Sequence, residues 1–216
     1  AIRQHTALDL DPDAVHATGV AEIERINGEM QALGKKLFGT DELAAILHTL
    51  RTDPSLYYKT ADEIVAAATA ALAKARAAIP TWFGLLPEAE CVVTVVPDYE
   101  APFTSIAYYR QPHYDGTKPG EFFINTYQPD VRPRFEIEAL AFHEAIPGHH
   151  LQIAIAQELG ALPAFRKFGG STAYVEGWAL YTEQLADEMG LYAGDLDRMG
   201  MLSYDAWRAS RLVVDT

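Results

Sequence analysis

Residues 141–152, Ala141-Phe142-His143-Glu144-Ala145-Ile146-Pro147-Gly148-His149-His150-Leu151-Gln152, set three histidines and a carboxylate inside a run of apolar helix formers. Burying such polar groups among apolar neighbours is costly unless something binds them, and a metal ion can satisfy several at once. The Pro147-Gly148 pair adds a second constraint. Proline removes a helix hydrogen bond and clashes with the preceding turn, while glycine tolerates unusual φ/ψ. A helix running through this stretch must therefore kink or bulge there.

The flanking sequence has three parts. Asp11-Pro12-Asp13 opens a helix to about Leu37 through Val15, Ile23, Ile26, Met30 and Leu33. Thr40-Asp41-Glu42 caps a second helix to Leu50, and Thr60-Ala61-Asp62-Glu63 is a capping box for a third, to about Ala78. After Ile79-Pro80 the residues become β-branched and aromatic. Glu90 to Val96, Ser105 to Tyr109 and Glu121 to Tyr127 read as three short strands between Pro/Gly/Asp-rich turns, expected to form a small antiparallel sheet. Helical periodicity returns over Arg134 to Leu159, Gly170 to Glu188 and Gly194 to Val213. Helices, a small sheet and more helices, with no long linker, predict one α+β domain dominated by helix.

His143-Glu144 resembles the start of the zinc-peptidase helix His-Glu-x-x-His, where two imidazoles one turn apart hold the metal and the Glu between them is the general base. Here the i+4 position is Pro147, which cannot be a ligand. In a straight helix the i+7 residue, His150, returns to the face of His143 but about 10.5 Å further along, and the i+6 residue, His149, points away. A bulge at Pro147-Gly148 shortens that span. The second ligand is therefore expected to be His149, with His150 as the alternative. A third is sought in Val175 to Glu183, where Glu176 and Glu183 share one helix face and Glu176 adjoins Gly177. Two His and one Glu leave a position open, as catalytic zinc requires. Against this stands a plain ion pair for Glu176.

His143 to Gln152, Glu176-Gly177-Trp178-Ala179-Leu180-Tyr181 and Arg211 to Thr216 together resemble the bacterial domain-of-unknown-function family numbered 885, over essentially all 216 residues. That family is similar in fold to gluzincin-type zinc peptidases and thermostable carboxypeptidases. Its members are longer, so residues 1–216 are expected to be a single catalytic domain from the C-terminal portion of such a protein, truncated at both ends. The resemblance implies a zinc (Zn2+) hydrolase, a metallopeptidase or carboxypeptidase-like enzyme acting on a peptide or small amide. His143, His149 or His150, and Glu176 would hold the metal, and Glu144 would activate water. It also implies an edge strand for the substrate backbone, to which Phe123, Asn125 and Tyr127 are assigned. Tyr108 and Tyr181, with Tyr109 and Tyr127, are candidate oxyanion donors, and Arg211, with Arg208, is a candidate for a substrate carboxylate. Two other readings stay open: a non-catalytic binding or scaffold domain on the same fold, and a metal-dependent hydrolase of non-peptide amides or esters.

Composition narrows the partners. A net charge of −13 with no basic stripe argues against nucleic acid. The Ala-rich run from Ile64 to Ala78 carries Lys74 and Arg76, so no membrane span is expected. Cys91, beside Val92 and Val93, reads as a buried strand residue, and His5, His16, His48 and His113 read as surface or cap residues. The compartment is left open between a cytoplasmic and an exported soluble domain.

Overall fold

The computed structural model describes residues 2–216. A short helix α1 (Ile2–Thr6) precedes α2 (Pro12–Phe38), α3 (Leu43–Thr52) and α4 (Ala61–Ala78). The strands are β1 (Cys91–Val95), β2 (Ala107–Arg110) and β3 (Gly120–Ile124). Then come α5 (Ile137–Glu144), α6 (His149–Glu158), α7 (Ala164–Phe168), α8 (Thr172–Glu188) and α9 (Asp195–Val214). Two of the three expected caps act, whereas α3 starts after Glu42, whose side chain makes no cap bond. The Asp11 side chain accepts from the Asp13 amide and Thr60 from the Glu63 amide, each satisfying a donor that the first helical turn leaves free.

The fold is α+β and mostly helical, but the sheet is mixed rather than antiparallel. Its order is β1-β3-β2, with β1 parallel to β3 and β2 antiparallel to β3. The chain leaves β1, skips a position to lay down β2, and returns through the gap as β3. The stretch 96–119 is long enough for the crossover that a parallel pair needs. β3 is therefore the central strand, and both of its edges are paired. The edge-strand role expected for Phe123, Asn125 and Tyr127 does not hold, because the β3 backbone has no free ladder to offer. β3 also ends at Ile124, earlier than expected. The Asn125 amide nitrogen donates to the Ala101 and Ser105 carbonyls at 2.8 and 3.2 Å, and its oxygen accepts from the Tyr127 amide at 2.9 Å. That side chain stitches the loops together instead of pairing onward.

Two apolar cores hold the helices around α5. In one, Ile64, Ala68, Leu72 and Ala75 of α4 meet Phe122 and Ile124 of β3 and Leu140 and Phe142 of α5. In the other, Ile26, Met30 and Leu33 of α2 and Ile46 and Leu50 of α3 meet Met199, Met201 and Leu202 of α9. Each such side chain, fully buried, contributes roughly 1.5–3 kcal/mol. Residues 61–81 are long and apolar enough to cross a membrane by length and composition, with mean hydropathy 1.2. The buried stripe of α4 is what a core helix of a folded domain carries. Near its start, α5 is pinned by Glu138, which pairs with Lys74 of α4 and accepts from the Ala193 amide at 2.8 Å.

Candidate metal centre

The helix expected over 134–159 is broken. α5 stops at Glu144, residues 145–148 form turns, and α6 starts at His149. The break is wide: the His150 amide reaches back five residues to the Ala145 carbonyl at 3.0 Å. Gly148 lies so close to the end of α5 that a Cβ there would sit 1.8 Å from the His143 carbonyl oxygen, and only glycine fits. The Pro147 carbonyl, left free by the break, accepts from the Trp178 indole at 3.0 Å.

This fold-back sets His149 beside His143, with ring centroids 4.8 Å apart. His150 turns the other way. One of its ring nitrogens is 2.9 Å from the Tyr109 hydroxyl and the other 3.0 Å from the Ala89 carbonyl. A carbonyl only accepts, so Nε2 of His150 carries the proton and Nδ1 accepts from tyrosine. With both nitrogens engaged, His150 is a clamp between α6 and the sheet, and the alternative of His150 as second ligand is set aside. Gly120 lies beneath the clamp, where a Cβ would come within 2.4 Å of His150 Nδ1.

Glu176 of α8 faces both remaining histidines. Its two carboxylate oxygens lie 3.6 Å from His143 Nε2 and 3.6 Å from His149 Nε2. Glu144 is 4.0 Å from His149 Nε2, and His143, Glu144 and His149 each present a donor atom within 4.8 Å of the others. Two carboxylates thus compete for the third-ligand position. Electrostatics separates them. Burial, the largest influence, raises the Glu144 pKa, whereas the facing His143 imidazole is the largest influence on Glu176 and lowers its pKa. An ionised, half-exposed Glu176 suits a ligand; a buried carboxylate with raised affinity for protons suits a base.

The histidines differ as well. Burial alone would depress the His143 pKa, but the facing Glu176 carboxylate and the hydrogen bond to Glu183 outweigh it and hold it up at about 9. His149 is lowered to about 4 by burial and by the neighbouring His143 charge. His143 Nδ1 is 2.7 Å from Glu183, whereas His149 Nδ1 is buried with no hydrogen-bond partner. The donor set fits zinc. Four ligands at about 2.0–2.1 Å in a tetrahedron stand roughly 3.3 Å apart; here the two histidines meet different Glu176 oxygens at 3.6 Å, so the carboxylate would have to turn to present one oxygen to an ion.

The other expected residues lie elsewhere. Successive strand residues face opposite sides of a sheet, so Tyr109 stacks near His149 at 6.3 Å while Tyr108 lies flat on Phe123 at 4.7 Å, on the far face. Tyr108 is thereby removed from the oxyanion role. Phe123 is buried under Tyr108 and the Arg110 guanidinium. Tyr127 stands in the loop after β3, its carbonyl held by Arg132. Tyr181 is half exposed and leans on Trp178. Arg211 pairs with Asp215 one turn along α9 on the exposed surface, so it is not gathered at the site. Glu183 does reach His143, and Arg208, a candidate for a substrate carboxylate, is instead paired with Glu183 beside the same ring. Their sequence signals were the face Glu183 shares with Glu176 and the position of Arg208 on the last helix.

No curated protein matches this chain. Among solved structures, a candidate lipoprotein from Colwellia psychrerythraea is similar with a TM-score of 0.94 and 32% identity, over 99% of this chain and 38% of that one. A candidate lipoprotein of unknown function from Shewanella oneidensis is similar in fold at TM-score 0.72 and 21% identity, over 97% of this chain and 40% of that one. The chain therefore spans well under half the length of either. The family model described as "Bacterial protein of unknown function (DUF885)" matches residues 1–216. With its whole length matched, the chain belongs to that family.

Proposed function

We propose that this chain carries a zinc centre that hydrolyses amide bonds, with peptides as the substrate class. The observation that supports the reading is the meeting of His143 Nε2, His149 Nε2 and the Glu176 carboxylate across 3.6 Å gaps, with the partly buried Glu144 beside them. His143, His149 and Glu176 would hold the ion. Zinc there supplies a Lewis acid that lowers the pKa of a water and polarises a scissile carbonyl. Glu144 takes the proton of the attacking water and returns it to the leaving nitrogen, a role for which its burial-raised pKa is suited. Glu176 keeps its charge and balances the ion.

A binding role on the same site is the second reading, favoured by the position of the clefts of about 500 Å3 and more, whose linings do not include His143 or His149. Clefts of about 540, 540 and 500 Å3 are lined by Glu88 to Glu90 with His113, Tyr114 and Lys118, by Arg110 to Asp115 with Phe168, and by residues of α2, α8 and α9. Glu176 itself is 56% exposed in its side chain. The Colwellia protein is more than twice as long as its matched part, so in this family the missing walls are expected from other segments. The same relatives' descriptions as candidate lipoproteins support an exported location, which fractionation of cells expressing the full-length protein tests.

The deciding experiment is metal analysis of protein purified without chelator, followed by hydrolysis of a broad peptide library. One zinc per chain, lost in His143→Ala, with peptide cleavage lost in Glu144→Gln, is the expected result. Absence of stoichiometric zinc sinks the metal reading, and cleavage unaffected by Glu144→Gln sinks the catalytic one. Zinc without peptide cleavage, but with turnover of esters or other amides, moves the substrate class to non-peptide compounds.

A further inference from the structure

Behind the histidine pair stand a buried acid and a partly buried arginine, neither of which has a role among the metal ligands. Glu183 is 1% exposed, yet it carries a carboxylate in the middle of α8. One of its oxygens lies 2.7 Å from His143 Nδ1 and 2.7 Å from an Arg208 nitrogen, and the other accepts from the second guanidinium nitrogen at 2.9 Å. The preceding residue, Thr182, is tied to the same part of α5, its hydroxyl 3.2 Å from the Phe142 carbonyl. Consecutive residues of α8 thus grip consecutive residues of α5.

We infer that Glu183 and Arg208 are positioning residues that fix the tautomer and ring orientation of His143 so that its Nε2 lone pair faces the metal site. The inference rests on the zinc reading above. Two partners compete for Nδ1: Glu183 at 2.7 Å, which can only accept, and Arg208 at 3.3 Å, which can only donate. The shorter contact is a charge-assisted bond, and the guanidinium is already spent as a fork on both Glu183 oxygens. Nδ1 therefore donates to Glu183, and Nε2 is the nitrogen left to bind. Arg208 acts through Glu183: its guanidinium fork on both carboxylate oxygens holds the carboxylate from swinging away from the ring.

A merely structural ion pair would not need this arrangement. Burying an Arg–Glu pair costs several kcal/mol of desolvation per ion, and apolar residues of the same volume commonly hold a fold as well or better. What apolar residues cannot do is accept a proton from one chosen imidazole nitrogen. Partners of this kind typically change metal affinity 10–100-fold when removed. His149 offers the contrast, since its Nδ1 has no partner to fix its tautomer. The centre then has one ligand set by the protein and one free to adjust.

The test uses the natural full-length protein, zinc-loaded and selectively labelled with 15N-histidine. His143 is expected to show a protonated Nδ1 with a strongly low-field proton and a metal-shifted Nε2. Observation of the opposite tautomer, with Nε2 protonated and Nδ1 accepting from Arg208, overturns the inference in the wild-type protein and requires no variant. Zinc affinity, measured by competition with a fluorescent chelator, is expected to fall 10–100-fold in Glu183→Gln. The low-field signal should disappear with it. If the lone arginine left by that change prevents folding, the neutral double variant Glu183→Gln/Arg208→Gln carries the same readout. A zinc Kd within twofold of wild type in a folded variant also overturns the inference. Failure of the wild-type protein to take up zinc at all counts instead against the zinc reading on which it rests.

Discussion

At the scale of single residues, the proton on His143 controls how the metal-free chain responds to pH. Folded, His143 is held near 9; unfolded, it has the ordinary value of 6.5. A raised folded value stabilises the fold fully below pH 6.5, and that contribution is lost as pH rises through 9. The size is about 3 kcal/mol. Asp197 and Asp205, raised to about 6 by burial, titrate below this window, and Cys91, raised from 9.0 to about 12 by burial, acts above it. Urea titrations of the metal-free protein are expected to show stability falling from pH 6.5 to 9, and zinc, by displacing that proton, to flatten the fall. The adjacent histidines divide differently. His150→Ala is expected to cost about 3 kcal/mol, because the Tyr109 hydroxyl and Ala89 carbonyl lose their partner, while zinc content stays unchanged. His149→Ala is expected to abolish zinc binding at smaller cost to the metal-free fold, which metal analysis beside the same titrations checks. Sequence ranked His149 ahead of His150 but kept both, because neighbouring helix positions differ by 100° in direction and the turn at 145–148 decides which one faces His143. Tyr108 and Tyr109 posed the same problem on a strand.

At the scale of elements, the site depends on how α5 stops and α6 begins. Gly148→Ala places a methyl group inside the His143 carbonyl. The expected result is a loss of about 3 kcal/mol together with zinc binding, because the fold-back that joins the two ligands must open. Calorimetry and metal analysis read both. This break was legible, since Pro147-Gly148 announces it. The helix boundaries and caps at Asp11 and Thr60 were legible for the same reason: capping is local chemistry written within a few residues. Strand pairing is not local. β1, β2 and β3 were each visible from their β-branched and aromatic residues, but which strand sits between the others depends on contacts across the whole of 91–124. The role given to Phe123 and Asn125 failed with that order.

For the whole molecule, the ligands and their supports come from three distant parts of the chain: α5 with the start of α6, then α8, then α9. The Glu183 and Arg208 contacts to His143 span 40 and 65 residues. Sequence could name the histidines because they cluster, and could name Glu176 because an acid on an apolar helix stands out. It could not join Arg208 to them, since nothing local marks a partner so far away.

That separation has a kinetic meaning. Contacts of such long range close late, after much of the chain entropy has been given up. A centre assembled from α5, α6, α8 and α9 is absent from the folding transition state, so zinc should leave the refolding rate almost unchanged. It should slow unfolding by nearly the full factor of its binding, about 100-fold at 100 times its dissociation constant. Stopped-flow rates with zinc and with chelator measure this, and a zinc-accelerated refolding limb would refute it. The ion would then act as a latch on a finished structure, protecting the chain by duration rather than by guiding its assembly.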